Sequence, residues 1–174
     1  MTATSVISDE MRAAVGSELS RFVSFPVAES DIRRWAIATY FPEQPPREYW
    51  DAEAAAKTRF GGIVAPADFN PFAWMTAEPL GASMRSLGGS DPEKVERQLG
   101  IASPGLMRVL NGGLSVSYGE PIRPGDVITA VTRLGEYRER EGSLGLMLFT
   151  PQETEWTNQD GAWVRTSTLT LIRY

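Results

Sequence analysis

The sequence predicts an α+β domain in which a long antiparallel sheet wraps around one helix. Helical periodicity is confined to the first half of the chain. The last third holds four long runs rich in Val, Leu, Ile, Thr and aromatic residues, parted by turn signals. Helices first and strands last is the α+β pattern, and 174 residues with 42% apolar and 22% charged side chains fill one core.

Taken in order, Met1 to about Asp9 is small and polar and is expected to be flexible. Glu10 to Val15 forms a helical turn that Gly16 stops. Phe22 to Val27 is expected as a first strand, broken by Pro26. A helix opens at Glu29-Ser30-Asp31, where Ser30 or a neighbouring acid caps free N–H groups, and Ile32, Trp35, Ala36 and Thr39 share one face. It ends near Tyr40, ahead of Pro42. Because prolines bias the preceding residue away from helix, Phe41 to Trp50 is an extended loop. Asp51 caps a short helix, Ala52 to Lys57, and Phe60-Gly61-Gly62 turns the chain.

After Ile63-Val64-Ala65-Pro66, an apolar helix with Phe69, Phe72, Trp74 and Met75 runs to about Ala77, and Pro71 breaks it or sits in its first turn. Residues 81–104, rich in Gly, Ser and Pro with a charged patch from Asp91 to Arg97, form an irregular surface excursion. The four strands are Val109 to Tyr118, Val127 to Tyr137, Ser143 to Trp156 and Trp163 to Tyr174, arranged as a meander. Turns fall at Pro124-Gly125-Asp126, Glu141-Gly142 and Asn158-Gln159-Asp160-Gly161. Glu136 to Glu141 alternates in charge and reads as a solvated strand end.

The chain has no cysteine and no histidine. A thiolate nucleophile, a disulfide, a Cys/His metal site and a histidine base are therefore excluded, and chemistry is left to carboxylates, Tyr, Ser/Thr, Lys, amides and backbone dipoles. A net charge of −5 argues against coating nucleic acid or an anionic membrane. Dispersed acids give no dedicated metal site, and no glycine-rich phosphate loop stands out. No apolar run approaches the roughly 20 residues of a membrane helix. Met1 to Gly16 lacks a basic start and an apolar stretch, so a cytoplasmic protein is expected.

Five strings carry a likeness to a known family. They are Asp31-Ile32-Arg33-Arg34-Trp35-Ala36-Ile37-Ala38, Asp51-Ala52-Glu53-Ala54-Ala55, Phe60-Gly61-Gly62-Ile63-Val64-Ala65-Pro66, Pro121-Ile122-Arg123-Pro124-Gly125-Asp126-Val127 and Asn158-Gln159-Asp160-Gly161-Ala162-Trp163-Val164. In this order they resemble the MaoC-like dehydratase family of hot-dog proteins, which includes (R)-specific enoyl-CoA hydratases and dehydratase domains of type I fatty-acid synthases. The resemblance runs from about Asp31 to Tyr174 and implies that residues 1–174 form one hot-dog domain. In active members an Asp, followed after four intervening residues by a His, activates water. At those places this chain has Gln44 and Tyr49, so the dyad is absent. A backbone N–H in the family's Ala-His-Gly string polarises the thioester carbonyl; here Ala65-Pro66-Ala67 stands there, and the N–H of Ala67 or Asp68 could serve. Where relatives carry Leu-His-Gly, this chain has Leu110-Asn111-Gly112.

The resemblance implies reversible hydration of a trans-2-enoyl thioester of coenzyme A or acyl carrier protein, or dehydration of the (3R)-hydroxyacyl form, with no cofactor. It also implies a dimer, either of two copies or with a MaoC-like subunit that carries the dyad. The catalytic candidates are Glu43 and Glu48 with Tyr40 and Tyr49, an acid–base set replacing Asp/His, or else solvated acids with tyrosines packed at a rim. Substrate-binding candidates besides Ala67 and Asp68 are Asn111 and Gly112, Trp74 as tunnel lining, and Arg123 for a phosphate. The structural alternatives are a strand-start bulge, core packing and an exposed turn residue. Other functional readings stay open. One is a non-catalytic module for a thioester or apolar metabolite, another a thioesterase using Asp68 or Glu78, and a third a histidine-free cyclase or isomerase.

Overall fold

The computed structural model describes residues 5–73 and 91–174. Helix α1 (Asp9–Ala13) starts at Ser8, whose side chain accepts from the Met11 N–H. Ile7 and Met11 are buried, so the segment expected to be flexible is packed from Ile7 onward. Gly16 then turns with φ +85° and donates its N–H to the Leu134 carbonyl.

Strand β1 (Glu18–Val23) lies earlier than the expected 22–27. From Ser24 the chain leaves regular pairing, and the Ser24 hydroxyl accepts from the Ile128 N–H while donating to the Phe25 carbonyl. Helix α2 (Glu29–Tyr40) ends as predicted, but its N-cap is Ala28 with no side-chain cap, and Ser30 lies inside the first turn. Ile32 and Ala36 are buried, Trp35 half so, and Thr39 is exposed. The loop after it contains a 3-10 turn (Arg47–Tyr49), followed by α3 (Ala52–Ala55), capped by Asp51 as expected. The apolar helix expected to reach Ala77 leaves the described residues at Trp74; up to Ala73 the chain forms turns.

Strand β2 (Val109–Tyr118) matches the sequence reading, and β3 (Thr129–Leu134) is shorter than expected. The alternating charges are not a strand end. They form their own strand, β4 (Arg138–Gly142), paired with β5 (Gly145–Thr157), and β6 (Trp163–Arg173) follows. All pairs are antiparallel in the order β1-β3-β5-β6-β2, so a meander holds only from β3 onward and β2 crosses over to the far edge beside β6. Pro151 explains how two partners share one side of β5: its carbonyl accepts from the Gly135 N–H, so its missing N–H faces the gap where β3 gives way to β4.

Two apolar clusters hold the fold. One gathers Ile32, Ala55, Phe69, Ile128 and Trp156, with Trp35, Tyr49 and Phe72 against it; the other gathers Met11, Leu19, Leu134, Tyr137 and Leu148. Helix α4 (Lys94–Leu99) packs beside the second. The stretch 91–97 is therefore not a patch on an irregular excursion: Glu96 is 0% exposed and holds Arg173, 2% exposed, through two contacts of 2.6 and 2.8 Å. The Tyr137 hydroxyl donates to Glu96 at 2.8 Å, and Arg173 also donates to Thr150 and to the Pro92 carbonyl.

Candidate functional site

Three loops and the β5–β6 end of the sheet enclose a cavity of about 500 Å³. One wall is the 48–67 stretch. Its position is fixed by the connection between β2 and β3: Ala65 donates its N–H to the Ile122 carbonyl at 2.8 Å, and the Arg123 guanidinium donates to the Phe60 carbonyl at 2.9 Å. Asp126 stiffens that connection by accepting from the Arg123 N–H at 2.7 Å. The opposite wall is a row across the sheet, Trp156 of β5, Arg165 of β6 and Tyr118 of β2, directly paired neighbours whose side chains share a face. A bulge skips Val164 between the Trp156–Arg165 and Thr157–Trp163 pairs, and both Val164 and Arg165 line the cavity.

The polar side chains of the loop wall are Glu48, Tyr49, Thr58 and Arg59. Tyr49 is half-buried against the core and its ring lies 6.0 Å from that of Tyr40. Burial first, and the Tyr40 hydroxyl second, push the Tyr49 phenol above its ordinary value, so at neutral pH it is an uncharged hydrogen-bonding group and not a base. Glu48 stands beside it on the wall. Among the described residues the N–H groups of Ala67 and Asp68 donate to nothing, while the Phe69 N–H closes the turn onto the Pro66 carbonyl. The donors expected at a helix start thus sit in a turn. Ala67 lines the cavity. Arg165 lies over Trp156 with its guanidinium carbon 3.6 Å from the ring centre.

Of the residues singled out from sequence, the structure brings Glu48, Tyr49 and Ala67 into this cavity, with Tyr40 behind Tyr49. Glu43 and Asp68 are exposed and do not line it, although Asp68 lies near enough to Tyr49 to act on its phenol. Asn111 is exposed on β2, where its side chain accepts from the Gly113 N–H at 2.8 Å across a register shift; it shapes a bulge away from the cavity. Gly112 faces β6, where a Cβ would meet the Thr170 carbonyl and Ile172 at 2.9 Å, so a close strand approach accounts for it. The Arg123 guanidinium is engaged by Phe60, and Trp74 lies outside the described residues, as does Glu78. Sequence reasoning missed Trp156 and Arg165. The signal was present: from Arg165 to Arg173, odd positions share a face with Leu169 and Leu171, so an arginine in that phase points where the leucines do.

A family model for FAS1-like dehydratase domain regions matches residues 13–167. No curated protein matches the chain. Among solved structures, it is similar to the ChsH1-ChsH2 complex from Mycobacterium tuberculosis, with 21% identity, coverage of 95% of this chain and 87% of that one, and a TM-score of 0.64. A MaoC-like dehydratase from Rhodospirillum rubrum gives 21% identity, 92% coverage of each chain and a TM-score of 0.54. An (R)-hydratase from A. caviae involved in PHA biosynthesis gives 20% identity, 90% of this chain, 94% of that one and a TM-score of 0.52. With these neighbours the α+β architecture is the hot-dog fold.

Proposed function

Because the chain belongs to the family of FAS1-like dehydratase domain regions, we propose that it binds a trans-2-enoyl or (3R)-hydroxyacyl thioester of coenzyme A or acyl carrier protein in the cavity at Tyr49. In this reading it is the dyad-lacking member of a pair, and a MaoC-like partner supplies the Asp/His base.

Hydration needs a base to activate water, an acid to protonate the alpha carbon, and donors to hold the carbonyl oxygen as it becomes enolate-like. The observation that carries the reading is Tyr49. By the sequence resemblance it stands where the family has a histidine, and a neutral phenol there can hold a hydrogen bond but cannot take a proton from water as an imidazole does. Glu43 faces solvent, which leaves Glu48 and Glu120 as the carboxylates on the described cavity wall. The Ala67 N–H is suited to the carbonyl oxygen. Pairing is supported by β2, a sheet edge with Leu110, Leu114 and Tyr118 exposed. Two of the similar structures are complexes, ChsH1-ChsH2 and the (3R)-hydroxyacyl-ACP dehydratase HadBC from Mycobacterium tuberculosis.

The test is hydration of crotonyl-CoA and a longer enoyl-CoA by the purified chain, followed by loss of enoyl absorbance, with binding measured in parallel. Binding without turnover is expected, and Tyr49→Phe should weaken binding. Turnover by the chain alone that disappears in Glu48→Gln would overturn the paired reading in favour of a self-sufficient enzyme.

A further inference from the structure

Strand β6 carries two arginines on one face, near its two ends, and they are treated differently. Arg173 donates four hydrogen bonds, to Glu96, Thr150 and the Pro92 carbonyl. Arg165 takes part in none of the ion pairs among the described residues. The Nε of both arginines is buried without an acceptor, so the difference lies in the terminal nitrogens, which among the described residues are bonded in Arg173 alone. Glu48 and Glu120, the carboxylates of the cavity wall, form no ion pair with it. Burial holds its guanidinium below the ordinary value, as expected of a cation short of water and counter-charge. Trp156, itself part of the core, holds the guanidinium carbon 3.6 Å from its ring centre, so the group is placed as well as unpaired.

We infer that Arg165 receives a carboxylate at the far end of the acyl group, so that the thioester taken by this chain is that of a dicarboxylic acid and not of a simple fatty acid. The inference rests on the thioester reading above, and the size of the cavity separates it from the other anion such a ligand carries. A sphere of 500 Å³ is about 10 Å across. The phosphorus of a phosphopantetheine arm lies thirteen bonds from the sulfur, roughly 16 Å when extended at the reach of a peptide chain, three bonds per 3.6 Å. With the thioester carbonyl at the Ala67 N–H, that phosphate is outside the cavity. The terminal carboxylate of a five-carbon diacid, four bonds from the carbonyl carbon, reaches about 5 Å into it by the same measure. A planar guanidinium with unused donors matches a carboxylate in two-pronged fashion.

The experiment compares binding of pentanoyl-CoA and glutaryl-CoA, which differ by a terminal methyl against a carboxylate and, being saturated, cannot be hydrated. The same two acyl groups are also presented as pantetheine thioesters, which have no phosphate. We expect glutaryl to bind at least tenfold more tightly in both series. Arg165→Gln should erase that preference, and Arg165→Lys should keep part of it. Equal affinity for the two acyl groups overturns the inference and leaves the thioester reading standing. A preference absent from the pantetheine series, with Arg165→Gln weakening free CoA equally, overturns it by assigning the arginine to phosphate. If neither pentanoyl nor glutaryl thioester binds, both this inference and the thioester reading fall. The comparison within the unaltered protein decides the matter even if a variant does not fold.

Discussion

Replacing Glu96 by Ala leaves the Arg173 charge in the interior at 2% exposure. Removing one partner of a buried ion pair costs about 3–5 kcal/mol, most of it from the charge left without compensation. The Tyr137 hydroxyl would lose its acceptor as well, adding about 1 kcal/mol. For a chain of this length each kcal/mol lowers Tm by about 2–4 °C, so the single variant should melt roughly 8–24 °C below the parent. The double variant Glu96→Leu/Arg173→Met removes both charges together. It should recover most of the loss, since an apolar pair of similar volume is often neutral or better. Urea denaturation of the parent, both single variants and the double variant at one protein concentration closes the cycle. Single variants costing under about 1 kcal/mol, or a double variant as unstable as the sum of the singles, would refute the claim that this pair is coupled in a dry interior.

Burial pushes the Tyr49 and Tyr137 phenols above the ordinary value of 10.0. Their contribution to stability is therefore fully present below pH 10 and lost as pH rises through the folded values, and phenolate absorbance should show a fraction of the signal appearing only above the ordinary range; the same late fraction in Tyr49→Phe/Tyr137→Phe as in the parent would contradict this. Gly112→Ala places a Cβ 2.9 Å from the Thr170 carbonyl and should cost about 1–3 kcal/mol, with faster amide exchange along β2 and β6; an unchanged denaturation midpoint would remove the close-approach explanation. Arg123→Gln breaks the bond to the Phe60 carbonyl and should lower stability by about 1 kcal/mol without changing the affinity for free CoA. A loss of CoA affinity at unchanged stability would instead place that guanidinium on a phosphate.

How much of this could be read in the sequence differs from element to element. Val109 to Tyr118 was legible as a strand because its β-formers are bounded by turn residues, and Asp51 as a cap because a short-range rule places the acid three residues before the N–H it satisfies. Arg138 to Gly142 was not, since alternating like and unlike charges describe an exposed surface equally well whether or not the backbone is paired. Glu96 was hidden for a different reason. A glutamate in a short polar helix is read as solvated, and what buries it is an arginine 77 positions away. In the site, the family's motif strings led to Glu48, Tyr49 and Ala67, which lie on loops close in sequence to those strings. Trp156 and Arg165 come to the cavity through strand pairing and a bulge, so their convergence depends on register that no local string records.

The order of strands also sets an order of assembly. The β5–β6 hairpin closes through the short turn Asn158-Gln159-Asp160-Gly161 and forms the largest pairing in the sheet, so its loop-closure entropy is small. Both outer strands must come from afar: Tyr118 finds Arg165 across the β3–β5 segment, and Glu18 finds Arg133 across most of the chain. Trp156 and Arg165 are therefore stacked early, on a two-strand platform that is still open on one side, and the cavity exists only once β2 and the 48–67 loops arrive. Until that last closure the platform leaves aromatic and apolar surface exposed. A partner or ligand that waits for the finished cavity acts on folding as well as on function, drawing the equilibrium toward the state in which the walls have met.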